Sequence, residues 1–156
     1  NGTLESFTQK LVAKGMKRQQ GWDNTGVFSG TFAGERDCEV YVNMIPSRNI
    51  VYRIVVCLPS KDTWDWLEKD YNRFKEMLTT KYGEPYKEGT YVGSDRLKIS
   101  ALKEGKCNYY SIWGSTEGVI ALEIFNADGS SNCCVRLVYY DAINYKLAQD
   151  SKQDDL

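Results

Sequence analysis

No histidine occurs anywhere in the 156 residues. That removes the commonest general base, proton shuttle and zinc ligand together. A Ser-His-Asp or Cys-His site built from this chain alone is excluded. Carboxylates, lysines and tyrosines remain available for other chemistry. A surplus of positive charge is missing too: 20 Lys+Arg against 21 Asp+Glu leave a net charge of −1. Neutralising phosphates needs an excess of cations, so nucleic acid and anionic membrane are poor fits as partners. No apolar run approaches the ~20 residues of a membrane-spanning helix.

Cysteine is sparse. Cys38, Cys57, Cys107, Cys133 and Cys134 are scattered and form no C-x-x-C pair. They specify neither a disulfide scaffold nor a zinc site, and their odd number leaves at least one thiol unpaired or intermolecular. Most read as small buried apolar residues. "GTFAGE" lacks a phosphate-loop lysine and opens no helix, so it reads as a glycine-kinked strand. "NADGSSN" lacks the spacing and terminal glutamate of a calcium loop and reads as a hairpin turn at Asp128-Gly129. No cofactor or metal is implied.

What is present is a globular balance of 42% hydrophobic and 26% charged residues. It suits one domain over residues 1–148, with a polar tail over 149–156. "TLESFTQKLVAKG" predicts a helix capped by Thr3 and stopped by Gly15. "GVFSGTFAG", "CEVYVNM" and "IVYRIVVCLP" alternate as strands, the last two forming a hairpin. "TWDWLEKDYNRFKEMLTTKYGEP" predicts a second helix with Asp62 as its cap. Trp64, Leu67, Tyr71, Phe74, Leu78 and Tyr82 fall on one stripe, and Gly83 and Pro85 end it. "RLKISAL", "CNYYSIW", "GVIALEIF" and "CCVRLVYY" read as strands, and "DAINYKLAQ" as a short final helix.

The chain also carries a faint repeat. Residues 3–59 and 62–140 each open with a helix of pattern F-x3-L-x2-K, ending in Gly. Each closes with a hairpin whose last strand has a central arginine, Arg53 or Arg136. Strands joined by short turns pair antiparallel, and one-faced helices need a sheet to cover. The expected fold is α+β: two α-β-β-β(β) units forming one curved antiparallel sheet, with two helices packed on one face. The other face is left to solvent or to a partner.

"GTLESFTQKLVAKGM", "GTFAGE", "WDWLEKDYNRFKEMLTTKYGEP" and "CNYYSIWGSTEGVIALEI" together resemble an uncharacterised family of small exported proteins from gut Bacteroides and their relatives. The helix-then-strands repeat is similar in architecture to the β-lactamase inhibitory protein. The resemblance implies a periplasmic or cell-surface location after removal of a signal peptide, in keeping with a start at Asn1 rather than Met. It implies no activity. Export permits disulfides, and on that footing Cys38 and Cys57, near the open end of one hairpin, are a candidate pair. Cys133 and Cys134, as strand neighbours, point to opposite faces.

The candidate partner-binding residues are aromatic, because Tyr and Trp join an apolar body to a polar tip. Trp66 lies about 160° around the helix from Trp64, so it meets either a packed loop or a partner. Tyr110 points away from the face shared by Tyr109 and Trp113. Trp22 is the third. Glu123, inside an apolar strand, reads as water-facing, with a buried acid as the alternative. The functional expectation is a non-enzymatic binding module for a protein or polysaccharide. Alternatives are a carboxylate-based glycan hydrolase and a carrier of a small apolar ligand.

Overall fold

The computed structural model describes residues 2–46, 48–91, 94–105, 108–126, 129 and 132–153. Among these residues the first half contains α1 (Leu4–Ala13), β1 (Lys17–Trp22), β2 (Thr25–Phe32), β3 (Glu35–Ile45) and β4 (Ile50–Cys57). The second contains α2 (Trp64–Tyr82), β5 (Lys87–Gly89), α3 (Asp95–Lys103), β6 (Tyr109–Gly114), β7 (Gly118–Phe125), β8 (Cys134–Asp141) and α4 (Ala142–Gln153). The strands make one curved, open, antiparallel sheet of eight strands in the order β1-β2-β3-β4-β8-β7-β6-β5. The α+β class expected from the sequence is the observed one. No described helix is long and apolar enough to cross a membrane.

The strand order reads alike from either edge, with the last strand of each half meeting at the centre. Val55 faces Val138 there, while Arg53 faces Tyr140 and Arg136 faces Cys57. This register is what a two-fold axis between Val55 and Val138 demands. The two arginines singled out in the sequence are thereby equivalent positions on one face.

The inner face carries the main core. Phe28, Val40, Val42, Val56, Leu122 and Leu137 project from the strands into it, against Trp64, Leu67, Tyr71, Phe74 and Leu78 of α2. Leu4, Phe7 and Leu11 of α1 pack on the same core. Thr3 caps α1, its hydroxyl accepting from the Ser6 N–H at 3.3 Å. Gly15 and Gly83 stop α1 and α2 at φ 87° and 83°, a region that favours glycine. The residue before α2 is Thr63, with no side-chain capping bond, so Asp62 is not the cap.

Four elements differ from the sequence expectation. "RLKISAL" is not a strand but most of α3. Its apolar residues fit either period, and Ile99 and Leu102, three apart, are the pair that reaches the core. β1 and the three-residue β5 were not foreseen, because β1 is exposed throughout and shows no alternation. Pairing with β2 and β6, not burial, creates them. Finally, α4 runs on through Gln153 and packs across β4, β3, β8 and β7. It lies on the outer face: Tyr145 meets Tyr140 edge-on at 4.9 Å, and Tyr140 alternates with the inward Leu137 and Tyr139. The Asp141 carboxylate caps it, accepting from the N–H groups of Ile143 and Asn144 at 3.1 and 2.8 Å. Ile45, Val55 and Val138 are buried there, on the face opposite the main core. The outer face is therefore only partly open.

One carboxylate is caught in the inner layer. Asp70 of α2 is 8% exposed, and its Oδ2 has no hydrogen-bond partner. Arg73 stands 3.6 Å from the other oxygen but closes to 2.5 Å on Glu35. Burial, and then the charge of Glu35, raise the Asp70 pKa above its ordinary value. A raised carboxyl pKa contributes stability that is fully present below the unfolded value and is lost as pH rises through the folded one. Asp70→Asn is therefore expected to stabilise the protein at pH 7 by about 1 kcal/mol, the scale of an unsatisfied buried polar group. The gain should shrink toward about pH 4, where Asp70 also becomes neutral. Urea midpoints at the two pH values measure it.

Candidate functional site

The fold separates the three aromatic residues chosen from sequence. Trp22 lies on β1, 63% exposed, its ring 6.0 Å from that of Tyr41. Tyr110 is half-buried on the outer face of β6, beside Gly89 of β5. Six strand spacings of ~4.8 Å put these two roughly 29 Å apart. Trp66 projects from α2 on the other side of the sheet, 55% exposed, with Lys69 Nζ 5.0 Å from its ring. It borders a shallow depression formed by Ser60, Lys61, Asp62 and Asn132. No single ligand of modest size touches all three.

Aromatic side chains do converge elsewhere, at the end of the sheet where α2 finishes. A cleft of about 360 Å³ is lined by Tyr82, Tyr86, Trp113, Tyr139 and Tyr140, with Glu84, Ser115 and Glu117 at its polar margin. Each wall has a local cause. Gly83 turns the chain sharply out of α2, and its carbonyl accepts from Trp113 Nε1 at 2.8 Å, pinning the helix end over β6. The chain then runs back beside β6, where the Tyr86 N–H donates to the Ile112 carbonyl at 2.9 Å. The Tyr86 ring lies against Gly114, where an added Cβ would stand 2.9 Å from it. The tight β6–β7 turn, closed by Ser115 N–H to Gly118 O at 2.9 Å, presents Glu117. The Glu117 carbonyl accepts from the Ala142 N–H at 3.1 Å, tying that turn to the start of α4.

The cleft is open on the side of Tyr82 and Tyr86, which are 46% and 66% exposed, while Trp113 forms its floor at 4%. Tyr139 is half-buried; burial, and then the neighbouring Tyr82, push its hydroxyl pKa up to about 12. It therefore stays protonated and able to donate throughout the physiological range. No lysine or arginine is among the described residues lining the cleft. The set joins flat apolar rings with neutral hydroxyl donors and two carboxylate acceptors. It suits a flat-faced, hydroxyl-bearing or cationic ligand and repels anions.

Tyr82 is the one member of the α2 stripe that leaves the core, because the sheet ends beneath it. Nothing in the amino-acid pattern signals that Tyr82, Tyr86, Trp113 and Tyr139 meet, since they come from four separate segments of the chain. The clue was compositional: 11 tyrosines exceed what the predicted inner face absorbs.

Two further sequence expectations resolve at the level of the sheet faces. Cys38 and Cys57 do not pair. Glu39, not Cys38, faces Cys57 across β3 and β4, so the two cysteines point to opposite faces and both are free thiols. Cys38 lies in the inner core, its thiol pushed up to about 11 mainly by burial. Cys107, Asp128 and Leu156 lie outside the described residues. Glu123 faces outward and pairs with Arg136 directly across β7 and β8, so it is a cross-strand ion-pair partner. No group of three or more Cys, Asp or Glu among the described residues is arranged to hold a metal ion.

No protein-family model, no curated protein and no solved structure matches this chain.

Proposed function

We propose that the protein is an exported, non-enzymatic binding module, and that the aromatic cleft at the end of the sheet receives a short stretch of neutral polysaccharide. The export half of the reading rests on the sequence resemblance. The binding half rests on one observation: Tyr86 and Tyr82 present exposed rings above a tryptophan floor, beside two carboxylates and with no cation among the described lining residues. Sugar rings offer an apolar C–H face for stacking and hydroxyls for the carboxylates. Neutral glycans bring no charge that the carboxylates would repel.

The test is titration of the protein with neutral oligosaccharides of several linkages, followed by tryptophan fluorescence and calorimetry. Saturable binding is expected for at least one. Tyr86→Ala should weaken it roughly tenfold, the scale of losing one aromatic contact of about 1.4 kcal/mol. The absence of saturable binding across the panel, or equal affinity in Tyr86→Ala, defeats the reading.

Glu84 and Glu117 in one cleft favour a second reading, a two-carboxylate glycan hydrolase. The same panel separates the two. A module returns its oligosaccharide intact, whereas a hydrolase releases new reducing ends and loses that activity in Glu117→Gln. A carrier of an apolar molecule fits less well, because the cleft is open at Tyr82 and Tyr86 rather than closed and dry.

A further inference from the structure

A second cleft, of about 300 Å³, lies on the part of the outer face that α4 leaves open, and Cys57, Cys134, Tyr41, Glu39 and Phe125 line it. Cys57 ends β4 directly opposite Arg136 of β8. Cys134 opens β8 two residues before Arg136, on the same outer face. The Leu58 N–H to Val135 carbonyl bond of 2.9 Å holds the two strands together between them. Both thiols are half-buried rather than sealed in the core. They are adjacent side chains on the two central strands, one from each half of the chain.

We propose that Cys57 and Cys134 are a dithiol–disulfide pair that is closed by a small-molecule disulfide and bridges the central seam of the sheet. The step balances as an exchange. The Cys57 thiolate attacks one sulfur of the donor R–S–S–R, forming a mixed disulfide and expelling one RS⁻. The Cys134 thiolate then attacks the Cys57 sulfur, expelling the second RS⁻. The protein loses two protons and two electrons and gains one S–S bond; the donor is reduced to two RSH, which take up both protons.

The surroundings assign the order of attack. A hydrogen bond with Cys134, and then the Arg136 charge, lower the Cys57 pKa, although burial opposes them. The Cys134 pKa is raised, first by that same bond to Cys57 and then by burial. Cys57 is thus the better supply of thiolate and Cys134 the resolving thiol, since the thiolate is the nucleophile. The remaining cysteines with described positions are less suited. Cys38 and Cys133 are both buried.

The test uses the full chain, reduced and then exposed to oxidised glutathione. Intact mass should fall by two hydrogens, and non-reducing peptide mapping should join Cys57 to Cys134. Because the closed loop spans about half of the chain, the oxidised protein should melt about 10 °C above the reduced one. Cys134→Ser should stop at a mixed disulfide, one glutathione held on Cys57. Cys57→Ser should acquire glutathione far more slowly. The mapping on the unaltered chain keeps the proposal open to refutation even if a variant folds poorly. Independent glutathione adducts on both cysteines, a link to any other cysteine, or no reaction would each overturn it. The oligosaccharide titration is indifferent to this outcome, because the aromatic cleft is lined by a different set of residues.

Discussion

Phe74→Ala should be the most damaging truncation on α2, costing about 3–5 kcal/mol of folding free energy. Phe74 is 2% exposed and stacks on Phe32 of β2, with centroids 6.4 Å apart and planes 11° from parallel. The surrounding core is rich in β-branched residues, among them Val40, Val42 and Val56. β-Branched side chains have little rotamer freedom with which to fill a void, and the sheet backbone cannot move toward the helix. The cavity therefore persists, and its cost adds to the lost transfer energy. Trp66→Ala removes more atoms from the same helix, yet should change stability by only about 0.5 kcal/mol, because that ring is largely in water. Urea unfolding of both variants, with the slope checked for two-state behaviour, makes the comparison. A Phe74→Ala cost below about 1 kcal/mol would mean that α2 does not lie on this face.

Ala148→Glu is the second large effect, expected at about 3 kcal/mol. Ala148 is 2% exposed on α4, the helix that buries Ile45, Val55 and Val138 on the outer face. A carboxylate on this buried face loses its hydration and must either be neutralised or drive the helix off the sheet. Detachment also breaks the 3.1 Å bond from the Asn144 side-chain amide to the Val51 carbonyl. Thermal melting measures the loss, and binding of a hydrophobic dye reports the exposed valines. Full stability in this variant would place α4 elsewhere.

The inner half of this architecture was legible because periodicity reports burial on one side of an element. The stripe of α2 and the alternation of Cys38, Val40 and Val42 each answer to a single apolar surface. The outer half was harder to read for the same reason. Strands such as "IVYRIVVC" are apolar on both faces, which says that a second layer exists but not what supplies it. α4 supplies it with a weak pattern, using small Ala148 and hydrogen-bonding Asn144 at its closest points rather than large aliphatics. α3 was misread because seven residues satisfy both periods, and only the contact of Ile99 and Leu102 with the core decides between them. The aromatic cleft was invisible because it is a property of chain ends meeting in space. Of the single residues chosen, Trp66 was rightly placed off the stripe, but neither it, Trp22 nor Tyr110 joins the others.

The two-fold arrangement of the sheet also sets a timetable for synthesis. The first four strands pair through short turns and need little loop-closure entropy, whereas β4 reaches its neighbour β8 only after most of the second half has been made. At ribosomal speeds that wait is on the order of ten seconds. Throughout it, the free edge of β4 offers "IVYRIVVC" to any other nascent chain. The nascent protein is therefore most prone to aggregate before its own last strand emerges, and shielding of that edge by a chaperone is worth most in that interval.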